Sequence, residues 1–395
     1  MRSAPWRGLL SLVGIFCIAV FPPSAVAATT LEHLYDVSLL AVDQSDGERQ
    51  KSLRQGLEQV LVRTSGQTDF SGNTPVQEAL SNPDAYVQQF SYVSLTEAEK
   101  ADIKARAESQ SHPLPSPATA LSVVLPTIRM NASFSPELVK ALLRKAQLPL
   151  WSSARPSVLV WLVVDGGSGK YLLNQSDNAY SFLLQEAARR GLPVVLPMND
   201  LNDQVALGVN RLWDLDQAAI AEASQRYGEG SVLVGRIAHM PTGQWQGNWL
   251  YLLKGQSQLI DGNDEDTEAF ITHGIDAVVQ AQVQRFGISP TSLANKVNLE
   301  ISGVDSLKAY ADTLTFLKSL DLVTSVAVTS VHDTTLRCAL EIEGESSLLQ
   351  ELTGLGHVLI SEDPPEPATP TTPTTAPQLK VTTETPTLHY RFSAQ

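Results

Sequence analysis

Apolar and polar residues alternate from Tyr35 to Val42, a run rich in β-formers, which is the period of a strand with one buried face. From Asp46 to Arg63 the period changes. Leu53, Leu57, Val60 and Leu61 now share one face of a helix that Asp46 caps and Gly66 closes. A shorter helix starts at Pro75, and an extended segment runs from Asp84 to Val93. Residues 101–120, rich in Ser, Pro and Ala, read as an exposed insertion. Leu121 to Arg129 resumes as a strand, and Ser135-Pro136 offers an N-cap and first-turn proline for a helix to Gln147.

A second stretch begins at Trp151. Ser157 to Val164 is continuously apolar, which suits a strand covered on both faces. Asp177 to Arg190 is helical with Gly191 as terminator, and Leu192 to Leu196 gives another buried strand. Leu215 to Tyr227 is a helix ended by Gly228, and Ser231 to Ile237 a third strand. Gln244 to Leu253 and Gly255 to Leu259 pair as antiparallel strands before a long helix, Thr267 to Phe286. In the third stretch Lys296 to Ile301 is a strand, and a helix runs from Asp305 to near Leu320. A hairpin around His332-Asp333, a helix from Ser346 to Leu355 and a strand from His357 to Ile360 complete it.

These patterns give an α/β and α+β multidomain chain: an N-terminal α+β domain over residues 28–150, a central α/β layer with an antiparallel extension over 151–290, and a C-terminal ferredoxin-like βαββαβ sandwich over 295–362. Residues 363–387 hold prolines and threonines with few apolar side chains, the composition of an extended tether. Alternation returns at 388–392, where Leu388, Tyr390 and Phe392 share a face, as expected of a strand added at a sheet edge.

The chain's start changes the picture of where this fold works. Arg2 and Arg7, an apolar run from Leu9 to Phe21 and the small-residue exit Ala25-Val26-Ala27 form a secretory signal peptide over residues 1–27. The apolar run is shorter than the ~20 residues that span a bilayer, so no stable membrane span is expected after cleavage. The expected location is the periplasm. Cys17 leaves with the signal, and Cys338 alternates within a strand as a small buried hydrophobe, so no internal disulfide is expected. A net charge of −14 argues against nucleic acid as partner, because phosphate backbones select basic patches.

Several segments carry a resemblance. Val42-Asp43-Gln44-Ser45 with Glu48-Arg49, Gln59-Val60-Leu61-Val62-Arg63, Leu148-Pro149-Leu150-Trp151, Arg155-Pro156, Val160-Trp161-Leu162, Arg190-Gly191-Leu192-Pro193 and Arg226-Tyr227-Gly228 look like the family called domain of unknown function 2066, found in gammaproteobacterial envelopes. The resemblance covers most of Leu31 to Phe286 and implies an exported protein without assigned chemistry.

Motifs that would carry chemistry fail on spacing. Asp165-Gly166-Gly167-Ser168-Gly169-Lys170 lacks the first glycine and the final Ser/Thr of a phosphate loop and reads as a turn. Asp261, Asn263, Glu265 and Asp266 lack the glycine and the bidentate glutamate of a calcium hand. The seven histidines show no zinc spacing, and no cofactor is expected. Trp245 and Trp249 fall on one face of a strand and are the candidate partner surface. Arg155, Trp161, Arg226 and Tyr227 read as structural. The expected function is a non-catalytic binding or assembly module acting on an envelope protein or cell-wall component; the alternative is a periplasmic hydrolase with a dispersed site.

Overall fold

The computed structural model describes residues 31, 33–110, 125–228, 230–355, 358–362 and 385–393. In the first unit, β1 (Asp36–Ala41), β2 (Val87–Ser94) and β3 (Ile128–Phe134) form an antiparallel sheet ordered β1-β3-β2. Its inner face, with Val37, Leu39, Met130 and Phe134, packs on α1 (Asp46–Ser65), α2 (Thr74–Ser81) and α4 (Pro136–Lys145). Ser45, one residue earlier than expected, caps α1 by accepting the Glu48 amide. The insertion expected at 101–120 is replaced in part by a helix, α3 (Glu97–Gln110); residues 111–120 lie outside the described residues. Thr96 and Glu99 form the reciprocal N-terminal box that starts it, the Thr96 amide donating to Glu99 Oε2 at 2.8 Å and the Glu99 amide to Thr96 Oγ1 at 3.3 Å. The following strand starts at Ile128, later than Leu121, and Ser135 makes no side-chain cap at α4.

The central sheet has the order β10-β9-β8-β5-β6, with β7 also on β5. Its strands are β5 (Val158–Asp165), β6 (Lys170–Leu172), β7 (Val194–Val195), β8 (Ser231–His239), β9 (Trp245–Leu253) and β10 (Gln256–Asp264). β5 runs parallel to β7 and β8, and the β8-β9-β10 meander is the antiparallel extension. The apolar run of β5 is buried on both faces. Val158, Val160, Leu162 and Val164 meet α5 (Asn178–Arg190) and α9 (Thr267–Phe286), while Leu159, Trp161 and Val163 meet α7 (Val209–Trp213) and α8 (Gln217–Ser224). A one-turn helix, α6 (Leu201–Ala206), precedes α7. The helix expected from Leu215 starts at Gln217, because Leu215 takes a left-handed φ of 53° and Asp216 caps instead. A two-residue strand, β4 (Leu150–Trp151), pairs with β11 (Gly287–Ile288) and ties the entry of this unit to its exit.

The third unit has β12 (Ala294–Ser302), α10 (Leu307–Ser319), β13 (Val323–His332), β14 (Thr335–Glu343), α11 (Ser346–Leu355) and β15 (Leu359–Ser361) in βαββαβ sequence. A plain ferredoxin-like sandwich would pair its first and last strands. Here the terminal strand β16 (Thr387–Phe392) lies between them, parallel to β12 and antiparallel to β15, in the order β13-β14-β12-β16-β15. It is therefore an interior strand, not the edge strand expected. Three residues of β15 cannot cover β12, whereas β16 gives it five paired positions and seats Tyr390 in the core at 2% exposure. Cys338 lies in the same core, where burial pushes its thiol up to about 11. Residues 1–27, and 363–384 of the tether, lie outside the described residues.

Asp321, just after α10, joins this unit to the others. It accepts Lys140 Nζ at 3.1 Å from α4, the Ser153 amide at 2.8 Å, and the Ser152 and Ser153 hydroxyls at 3.1 Å each. Burial opposes its ionisation, but Lys140 and Ser153 outweigh burial and hold the carboxyl below its usual range. A depressed folded-state pKa contributes stability above the unfolded value, about 3.9, and loses it as pH falls through the lower folded value. Denaturant midpoints of the wild type should exceed those of Asp321→Asn by a constant margin above about pH 4, shrinking below it. A margin independent of pH would contradict this.

Candidate functional site

One of the residues read as structural, Arg155, lies where two helices end. Helices α1 and α5 both stop at left-handed glycines, Gly66 (φ 71°) and Gly191 (φ 68°), and the last turns leave carbonyls and the negative dipole end unpartnered. Arg155, fully buried, supplies the donors: Nη2 to Arg63 O at 2.7 Å and to Trp151 O at 2.8 Å, Nη1 to Gly191 O at 2.5 Å, and Nε to Ser152 O at 2.6 Å. Its guanidinium lies 3.6 Å from the Trp151 ring centroid, and burial pulls its pKa down to about 9, still charged at neutral pH. A Cβ at Gly191 would stand 2.7 Å from Arg155 Nη1, so the clasp requires glycine there. Arg190 completes it by donating to Gly66 O at 2.9 Å.

Trp161 is fully buried under α8, its Nε1 donating to Ser224 Oγ at 3.3 Å, edge-on to Tyr227. The Tyr227 hydroxyl donates to Asp203 at 2.5 Å; burial, then that bond, pushes its pKa up to about 12. Arg226 binds Asp200 through both nitrogens and reaches the buried Asp203 at 2.7 Å, and its bonds hold the Asp200 carboxyl far below the usual range. Together they fasten α6 to α8.

Trp249, placed by sequence on a partner surface, lies in the core. It has no exposed surface, stacks on Phe270 with centroids 4.7 Å apart, and donates to Phe270 O at 3.0 Å. Trp245, on the same face of β9, is half-buried against the same core beside His239. Helix α9 covers that face because Phe270, Ile271, Ile275 and Val278 need burial. The other face of β9 is buried at Leu250 and accessible at its start, at Gln246 and Asn248.

There the polar residues one position away line up. Arg236 on β8, Asn248 on β9 and Asp261 on β10 stand opposite one another in the register. Arg236 Nε and Nη2 donate to Asn248 Oδ1 at 3.3 and 3.2 Å, and Asn248 Nδ2 donates to Asp261 Oδ1 at 2.6 Å. Arg236 Nη1 also holds Trp213 O at 2.7 Å, which fixes the end of α7 as a wall. Gln246 and Asn263 extend the row, both exposed, and the whole encloses a concavity of about 520 Å³. Lys170 Nζ stands 4.4 Å over the Trp213 ring. The site sits at the carboxyl ends of the parallel strands β5 and β8, where open α/β sheets present ligands. Its signal was present in the alternation that assigned the tryptophans to one face, since that same period assigns Gln246 and Asn248 to the opposite one.

Larger concavities lie elsewhere. A cleft of 780 Å³ between β9–β10 and α11 is bridged by Arg285 and Glu351, paired bidentately with each other. On the outer face of the first sheet, Ser133 Oγ donates to Asp36 Oδ1 at 2.7 Å, and His33 Nδ1 sits 2.9 Å from Asp36 Oδ2. That brings serine, aspartate and histidine together, but with the carboxylate in the middle: the serine proton points at an acid that those bonds hold below its usual range, not at an imidazole base. Gly166 to Gly169 form the turn between β5 and β6, and Asp266 caps α9.

Residues 28–152 match a family model described as Domain of unknown function (DUF8605). It is a different family from the one that the motifs resemble, and the motifs after Trp151 fall beyond the matched range. No curated protein matches the chain.

Proposed function

We propose that the mature chain is an exported, non-catalytic envelope module that binds a cell-wall component or another envelope protein through the polar end of its central sheet. The observation carrying this is the row Arg236–Asn248–Asp261 beside Trp213, which lines a concavity at the carboxyl end of the parallel strands. Buried polar clasps at Arg155 and Asp321 support a rigid scaffold behind it. Export is supported by the leader over residues 1–27 and by the resemblance of 31–286 to the domain of unknown function 2066 family. Among the described residues no helix is long and apolar enough to cross a membrane.

The mature protein should begin at Ala28 and co-sediment with purified cell-wall sacculi or be captured with one envelope partner by crosslinking in intact cells. The double variant Asp261→Ala/Asn263→Ala should lose that retention without losing its fold. An intact Met1 would remove export from this reading, and unchanged retention by the double variant would remove the site.

A further inference from the structure

We infer that the ligand of this face is an uncharged, hydroxyl-rich glycan chain; the inference rests on the binding reading above. Charge is the first argument. Arg236 and Lys170 are balanced by Asp261 and by Asp165, which stands opposite Lys170 in the β5–β6 register, so neither an anion nor a cation gains from the site as a whole. Donor geometry is the second. Gln246 and Asn263, opposite each other on β9 and β10, each present an amide with donor and acceptor side by side, while Asn248 is engaged by Arg236 and Asp261 and holds Asp261 in place to present its second carboxylate oxygen. Such forks bind neighbouring hydroxyls on a ring, which are donor and acceptor at once. Strands set these forks roughly 4.8 Å apart across the sheet, a repeat suited to a chain of rings.

The third argument is the wall. Trp213 is half-buried, and the part of its ring that Lys170 approaches is a negative π-face that attracts polarised C–H groups as it attracts an ammonium. A pyranose seated there displaces the exposed Lys170 side chain. The concavity reaches Asp261 and Asn263 on β10, the end strand of the sheet, so a chain can run across it without threading an enclosed cavity.

Titrating the mature protein with tetra-N-acetylchitotetraose and with cellotetraose, followed by tryptophan fluorescence, tests this. At least one neutral tetramer is expected to give a saturable change. Asp261→Ala and Asn263→Ala should each weaken it by about tenfold, the loss of a charged or paired hydrogen bond. Ser257→Ala, at the other end of β10, should leave it unchanged. Lys170→Ala should bind as well or better, because the ring face is vacated; a site driven by that cation would bind worse, which overturns the inference. Failure of both tetramers while sacculi still retain the protein would overturn the glycan assignment alone and leave the binding reading standing. A sugar-free stem peptide that titrates the same tryptophan would assign the face to peptide instead.

Discussion

Deleting residues 385–395 is expected to unfold the C-terminal sheet. β16 is paired on both sides, at five positions with β12 and at three with β15, and flanking bonds from Asn298 N to Pro386 O and from Ser393 N to Val358 O extend the seam. Without it the long interior strand β12 exposes a row of unpaired backbone groups, and the three-residue β15 has no partner. The Tyr390 ring leaves a core position, and its hydroxyl leaves Thr353 Oγ1 at 3.1 Å. Truncating a buried aromatic alone costs about 3–5 kcal/mol, so the full deletion should exceed about 5 kcal/mol. Denaturant titration by circular dichroism reads this as loss of a cooperative transition, and the amides of 387–392 should resist exchange in the intact chain. A truncated protein with an unchanged midpoint would show that the strand is dispensable.

Arg155→Ala should be comparably severe. Four carbonyls, from Arg63, Trp151, Ser152 and Gly191, accept from this one side chain in the buried seam between the first two units. An acceptor left unsatisfied costs about 1–3 kcal/mol, so losing all four should destabilise by at least about 5 kcal/mol. Arg155→Lys should recover little, since a compact ammonium cannot span the fork that reaches two helix ends. Arg155→Met, matched in length and apolar, discriminates most sharply: were it as stable as the wild type, the carbonyls would not depend on the guanidinium.

The layered α/β and α+β architecture is legible in the sequence because each buried element has its own period. The continuous apolar run of β5 and the stripe of α1 depend on neighbours of any identity, only on being covered. Local capping was legible too where it was read: Gly66 and Gly191 end their helices as composition implies. Thr96-x-x-Glu99 carried the same kind of signal for α3 and was outweighed by the Ser and Pro content that follows. What composition could not give was order across a sheet. β16 reads as a strand, but its place between β12 and β15 depends on pairing with strands that precede it by roughly ninety and thirty residues. The candidate site failed for a related reason. Period two separates Trp245 and Trp249 from Gln246 and Asn248, yet which set faces α9 is decided by Phe270 and Ile275, and Arg236 and Asp261 join the row only through register.

Placing a photo-crosslinking residue at Asn263 in the full-length protein in intact cells tests the binding face most directly, with Ser330 on the exposed strand β13 as the comparison. Asn263 should give one discrete wall-associated adduct that Asp261→Ala diminishes, and Ser330 none. An adduct that forms from Ser330 and not from Asn263 would contradict the assignment of function to the polar end of the central sheet.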